Sequence, residues 1–230
     1  MTKQITGYVF RITVAGIVSL LVSVLSSAQT DDSRIWNKLS VEKKLKRHYS
    51  LEVAAGIRIG QNYSRLETYY LDAGINYQLN KHWSCELHYR YSERRLKTDL
   101  FDTRNRGYFG VEYKTKWWDV VVAKFYVRYQ RQYTNMFTSE EGFNASDYIR
   151  SRYTLKFDLN KKYTPYVSGE LFYQMKYYKS EFNRVRYEAG ISYKINKHHS
   201  FDAFYMIQRE FNEPNPAHSY IVGLYYKINI

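Results

Sequence analysis

Two small groups of side chains in this sequence have the residue types of an acid–base or nucleophilic site. His198 and Ser200 lie two residues apart, so on a strand they would share one face as a base and a nucleophile. Glu86 and His88 have the same spacing and could act as a general acid and base. We interpret the first pair as polar turn residues and His88 as a hydrogen-bonded structural side chain. The sequence therefore predicts no enzymatic activity and no catalytic residue.

A larger set of charged side chains alternates with apolar residues along most of the chain. Between residues 148 and 158, one face carries Ile149 and Leu155 and the other carries Arg150 and Arg152. Successive side chains of a strand point to opposite faces, so this pattern predicts strands with one apolar and one charged face. The charged positions that we expect to line an interior and contact a solute are Arg58, Glu86, His88, Arg90, Arg128, Arg150, Arg152, Glu170, Arg184, Arg186 and Glu188.

The elements that must position these residues are long antiparallel strands. Their charged face is too heavily ionised for a sandwich core, which favours an all-β, antiparallel transmembrane β-barrel with an apolar outside and a wet inside. About eleven runs alternate in this way, whereas single-chain bacterial barrels have even strand numbers. We therefore expect ten to twelve strands, with residues 29–46 as a possible periplasmic or lumenal lead-in. Alternation alone does not say which face is outside, so a soluble periplasmic barrel or sandwich is the alternative.

The first segment has the features of an export signal. Lys3 and Arg11 precede an apolar run from residue 12 to 25, and small residues end at Ala28. We predict a signal peptide over residues 1–28, cleaved before Gln29, and a single barrel domain over residues 29–230. The alternative is an uncleaved anchor, although the apolar run falls short of the ~20 residues that a spanning helix needs.

Composition limits the classes of partner. The formal net charge is +13 and there are 26 tyrosines, a combination that would suit phosphate contacts and base stacking in nucleic-acid binding. Because export argues against nucleic acid, we assign the positive charge to anionic lipid head groups or to the barrel interior. No Gly-rich phosphate loop or metal-ligand spacing occurs, so we predict no cofactor and no metal. Cys85 is the only cysteine and lies on an apolar face.

The connections between strands favour an outer-membrane protein. Short basic turns such as Asn80-Lys81-His82 and Asn196-Lys197-His198 alternate with longer connections, as periplasmic turns alternate with extracellular loops in outer-membrane barrels. The last run, with Gly223, Tyr226 and Ile228, resembles the carboxy-terminal signal that barrel-assembly machinery recognises. We expect that machinery, outer-membrane lipids and lipopolysaccharide to be its partners.

Several short motifs carry a family resemblance. The chain includes Leu79-Asn80-Lys81-His82-Trp83 and Tyr89-Arg90-Tyr91, and Arg58 follows its opening motif. That motif is Trp36-x-x-Leu39-x-Val41-Glu42-Lys43-Lys44-Leu45-Lys46-Arg47-His48-Tyr49-Ser50-Leu51-Glu52. In these features the chain resembles domain-of-unknown-function family 2490. The resemblance covers essentially all of the chain after the signal and implies an outer-membrane β-barrel of Gram-negative bacteria. It implies no activity and no catalytic residue.

The sequence supports three hypotheses about function. The first is a narrow pore or binding protein for small polar or anionic solutes, because fixed arginines in a confined space concentrate anions. The second is a structural role in the cell envelope, with the charged residues paired in a filled lumen. The third is a lipid-modifying enzyme of the outer membrane, which would need a His and a Ser or Asp at the outer rim.

Overall fold

A computed structural model describes residues 31–230 except 97, 118–119, 135–143, 161, 176–179 and 214–215. Apolar and polar residues alternate in runs of 12 to 17 residues, and each run forms one strand. None of the described residues belongs to a helix long and apolar enough to cross a membrane. The strands are β1 (Asp31–Lys44), β2 (Tyr49–Gly60), β3 (Arg65–Gln78), β4 (Trp83–Arg95), β5 (Phe101–Trp117), β6 (Val121–Thr134), β7 (Asn144–Phe157), β8 (Tyr163–Met175), β9 (Glu181–Lys194), β10 (His199–Glu210) and β11 (His218–Asn229).

The strands close into a barrel in chain order, and this confirms the predicted β-barrel of ten to twelve strands. Consecutive strands pair antiparallel, whereas β1 and β11 pair in parallel from Asp31↔His218 to Glu42↔Asn229. The expectation of an even, wholly antiparallel set is wrong for the described residues, which form eleven strands. An odd number of alternating strands leaves the first and last pointing the same way, so their closing pair must be parallel.

The segment proposed as a lead-in belongs to the barrel wall. Asp31–Lys44 form a full-length strand that pairs with β11 on one side and with β2 on the other. Its start is fixed to the β2–β3 connection, because the Ser33 N–H donates to Asn62 Oδ1 at 3.2 Å and the Asn62 N–H donates to Asp32 Oδ1 at 3.0 Å. The predicted signal peptide and its cleavage between Ala28 and Gln29 lie outside the described residues and stay predictions.

The connections between consecutive strands alternate between the two ends of the barrel. We call the end of the barrel at which β1, β3, β5, β7 and β9 end the turn rim; it includes the described connections 45–48, 79–82 and 195–198. The opposite end, at which β2, β4, β6, β8 and β10 end, is the loop rim and includes the described connection 61–64. Asp31 therefore lies at the loop rim and Ile230 at the turn rim.

The two faces of the barrel differ in polarity. Outward aliphatic side chains such as Val53, Leu71 and Leu87 are exposed over more than half of their surface. Inward positions are mostly polar or charged, with one apolar cluster on the inner wall of β1, β8, β10 and β11. Its members are Trp36, Tyr166, Phe204, Met206 and Ile221. Gly223 provides space for this cluster, because a Cβ there would lie 1.9 Å from the Phe204 ring.

Candidate functional site

The inward side chains enclose a cavity of about 570 Å³ in the barrel. Among the described residues, fourteen basic side chains line it against seven acidic ones, so this part of the wall has an excess of positive charge. The basic residues are Arg34, Lys38, Arg58, Arg90, Arg94, Arg104, Arg106, Lys124, Arg128, Arg150, Arg152, Lys156, Arg184 and Arg186, and the acidic residues are Glu52, Glu67, Glu86, Glu112, Glu188, Asp202 and Glu210.

Most of the residues expected to line the interior do line this cavity. The exception is Glu170, which is 3 % exposed and lies among the guanidinium groups of its neighbours. The predicted residues on the cavity wall are Arg58, Glu86, His88, Arg90, Arg128, Arg150, Arg152, Arg184, Arg186 and Glu188.

Glu170 on β8 is a buried carboxylate at the centre of an ion-pair cluster. Arg150 donates to its Oε1 from Nε at 2.9 Å and from Nη2 at 2.6 Å. Arg152 and Arg186 reach its Oε2 at 3.1 Å and 3.5 Å. One carboxylate therefore fixes three guanidinium groups from β7 and β9, which is the geometry of a structural network that fills part of a lumen.

Asp72 on β3 forms a second cluster that includes His88. The His88 Nδ1 lies 2.7 Å from Asp72 Oδ1, and Arg90 Nε donates to Asp72 Oδ2 at 2.7 Å. The Tyr108 hydroxyl donates to the same carboxylate at 3.0 Å. The His88 ring lies over Gly74, where a Cβ would come within 2.2 Å of it. His88 is thus held by its neighbours in a fixed position.

The structure does not bring Glu86 and His88 together as an acid–base pair. Glu86 accepts a hydrogen bond from the Tyr126 hydroxyl, while His88 is bonded to Asp72 and to Asn76. The two side chains follow one face of β4 with separate partners. This arrangement favours the interpretation of His88 as a hydrogen-bonded structural residue.

The histidine of the other candidate pair belongs to a repeated turn structure. The Nδ1 of His198 lies 2.8 Å from the carbonyl oxygen of Asn229, so this nitrogen carries the hydrogen and donates. His48 and His82 make the same bond to Gln78 and Lys114 at 2.9 Å and 3.0 Å. All three lie at the turn rim, where each extends a strand ladder by one residue. This supports their interpretation as turn residues.

Three arginines that are not among the predicted lining residues, Arg94, Arg104 and Arg106, also line the cavity. Arg94 lies on β4, and Arg104 and Arg106 lie on β5, which begins at Phe101. The intervening outward residues are Thr103 and Asn105, so the apolar half of the alternation is missing there. The sequence feature that could have identified these residues is the spacing of two. It continues from Arg104 and Arg106 into the part of β5 where apolar and polar residues alternate.

A smaller cavity of about 270 Å³ lies towards the turn rim. Its acidic lining residues are Glu42, Glu52, Glu86 and Glu112. The last three also line the larger cavity, so the two spaces adjoin and the wall changes from mainly basic to mainly acidic. Within the described ranges, no three His, Cys, Asp or Glu side chains are arranged to hold a metal ion.

Comparison with solved structures found similarity to other barrels. The NanC porin has a TM-score of 0.48 and 10 % identity over 76 % of this chain and 86 % of its own. The beta domain of the Bordetella autotransporter BrkA has a TM-score of 0.48 and 11 % identity over 75 % of this chain and 78 % of its own. LpxR from Salmonella typhimurium has a TM-score of 0.47 and 11 % identity over 79 % of this chain and 84 % of its own.

Sequence comparison gives one match to a family. No curated protein matches the chain significantly. The family described as proteins of unknown function, DUF2490, matches residues 33–219, which include every residue of β2 to β10. The chain therefore belongs to the DUF2490 family, as its opening and turn motifs indicated.

Proposed function

We propose that the protein is an outer-membrane β-barrel whose lumen takes up small anionic solutes and that it has no enzymatic activity. The membrane part of the proposal is supported by the outer surface. On β3, Tyr69 and Tyr77 lie eight residues apart with Leu71, Ala73 and Ile75 between them on the same face. That spacing is roughly 27 Å along a strand and roughly 20 Å after a tilt of ~40°, close to the ~25 Å apolar band of such barrels.

Aromatic side chains mark both edges of this band. Towards the turn rim, Tyr49 packs on Tyr77 and Trp83 packs on Tyr113, with ring centroids 4.5 Å and 4.9 Å apart. Towards the loop rim, Tyr69 packs on Phe101 at 5.6 Å. Amphipathic rings at two levels with aliphatic residues between them are the girdles of a membrane barrel. Lipids, lipopolysaccharide and the barrel-assembly machinery would be its partners.

The proposal that the solutes are anions rests on one observation, the charge of the cavity wall. Among the described residues it has twice as many basic as acidic side chains. Fixed positive charge in a confined, partly desolvated space raises the local concentration of anions and repels cations. The proposed lack of enzymatic activity rests on Glu86 and His88, which have separate hydrogen-bond partners and do not form an acid–base pair.

Conductance across a planar lipid bilayer tests this function. We expect the purified protein to form stable channels whose reversal potential in a KCl gradient indicates anion selectivity. A variant with Arg58→Gln and Arg128→Gln should lose most of that selectivity, because both side chains line the cavity. The Arg131→Gln variant is the control, since this arginine is half-exposed on the outer side of β6. A silent bilayer or cation-selective channels would remove the proposed passage of anions.

A further inference from the structure

Four arginines of the large cavity have no ion pair with a carboxylate within the described residues. One is Arg94, at the loop-rim end of β4. The other three are Arg58, Arg106 and Arg128. They lie on β2, β5 and β6. By contrast, Arg150, Arg152 and Arg186 share the carboxylate of Glu170. The barrel therefore contains one arginine cluster that shares a carboxylate and one that has no carboxylate partner within the described residues.

Aromatic rings and an amide hold the second cluster in place. The guanidinium carbon of Arg58 lies 4.0 Å from the Trp36 ring centroid, and that of Arg128 lies 4.4 Å from the Tyr108 ring centroid. Arg106 donates from Nε and Nη2 to Gln132 Oε1, at 3.2 Å and 2.5 Å. Stacking on a ring orients a guanidinium plane while its edge donors stay available, and neither a ring nor an amide cancels the positive charge.

The charges of this cluster act on one another. Arg106 experiences the positive charges of Arg58, Arg90 and Arg128, and Arg90 is its direct cross-strand partner. Of the four, Arg90 alone has a carboxylate partner among the described residues, the Asp72 group. In addition, the Nε of Arg128 is buried and has no hydrogen-bond partner. A bound anion would relieve the repulsion and supply acceptors for these donors.

We propose that Arg58, Arg106 and Arg128 form a binding site for a compact oxyanion, a phosphate or carboxylate group that accepts hydrogen bonds through two or more oxygens. Guanidinium forks match such groups in a bidentate geometry, which a spherical halide cannot reproduce. This site defines the class of anion that the proposed lumen takes up. It rests on the proposed function, because solutes must be able to enter the lumen to reach it. Binding itself requires only that the lumen can be reached from one rim.

Isothermal titration calorimetry on the refolded barrel in maltoside micelles tests the site. Pyrophosphate and citrate are the oxyanion probes, and chloride is the halide probe. We expect saturable binding of at least one oxyanion and at least tenfold weaker binding by the double variant Arg106→Gln, Arg128→Gln. Arg106→Lys keeps the charge but loses the fork, so its affinity should lie between the two. Arg131→Gln removes a charge from the outer face and should bind as the unaltered protein does.

The binding and conductance measurements test the oxyanion site and the channel separately. Binding of pyrophosphate alone assigns a phosphoryl ligand, and binding of citrate alone assigns a carboxylate ligand. The proposal fails if neither oxyanion binds saturably, if chloride binds equally tightly, or if the double variant binds as well as Arg131→Gln. Binding without bilayer conductance would leave the site standing in a closed lumen, whereas conductance without oxyanion binding would remove the site alone. Heat-modifiable gel mobility checks folding, and Arg106→Lys replaces the double variant if that does not refold.

Discussion

At the scale of single residues, the carboxylates decide which arginines are structural. Glu170 neutralises part of the charge of three guanidinium groups, and Asp72 does the same for Arg90. Both carboxylates are almost fully buried. A buried charge costs little only while its partners are present, so these two residues are expected to affect stability more than transport.

The Glu170→Gln substitution tests this role. It leaves an amide oxygen as acceptor but removes the negative charge among Arg150, Arg152 and Arg186, and we expect the free energy of unfolding to fall by about 3 kcal/mol. Urea unfolding of the protein in lipid vesicles, followed by tryptophan fluorescence, measures the change. The control is Glu210→Gln, whose partner Arg184 is more exposed, and which should cost less than about 1 kcal/mol. Equal losses in both variants would contradict the account.

Alternation predicted which side chains face inward but not their partners. The inward placement of Arg58, Arg90 and Arg150 follows from period two, because most residues next to them on the strand are apolar or aromatic. The partner of each guanidinium depends on the cross-strand register, as with Arg150 and Glu170 on adjoining strands. Such pairs come from different strands whose alignment the alternation leaves open. The sequence therefore could not separate the paired arginines from the unpaired ones.

At the scale of the elements, the closure between β1 and β11 has the largest consequence. Eleven alternating runs were visible in the sequence, and the rule of even strand numbers led to the wrong expectation for Asp31–Lys44. The alternation in β1 is weak because Asn37 interrupts its outward apolar face between Ile35 and Leu39. Its pairing partner β11 lies at the other end of the described chain, and local patterns contain no information on such contacts.

This topology predicts that residues at the loop rim and residues at the turn rim label from opposite sides of the membrane. In a Cys85→Ala background, Asp31→Cys and Asn62→Cys should react with an impermeant maleimide from the same side, because both residues lie at the loop rim. Lys46→Cys and Lys197→Cys at the turn rim should react only from the other side. If Asp31→Cys labels together with Lys46→Cys, β1 does not span the membrane as described.

At the scale of the whole molecule, the distribution of polarity is inverted relative to a water-soluble protein. Leu71, Leu87 and Val53 are exposed by 60 %, 58 % and 57 %, while Arg150 and Glu170 are buried in the interior. Contiguous exposed apolar surface of this kind needs a partner, and in a barrel with aromatic girdles that partner is lipid. The soluble-barrel alternative would leave the whole band in contact with water.

The most direct test is the free energy of unfolding of a Val53→Arg variant in lipid vesicles. Val53 is exposed on the outer face and pairs with Ala73, the midpoint between Tyr69 and Tyr77. An arginine at the middle of the apolar band costs about 2–4 kcal/mol, falling to about 0–1 kcal/mol near the interfaces. Leu79→Arg, in a turn-rim connection, is the matched control. We expect a loss of about 2–4 kcal/mol for Val53→Arg and at most about 1 kcal/mol for the control. Equal stability of the two variants would contradict this expectation, since the outer face would then not lie in lipid.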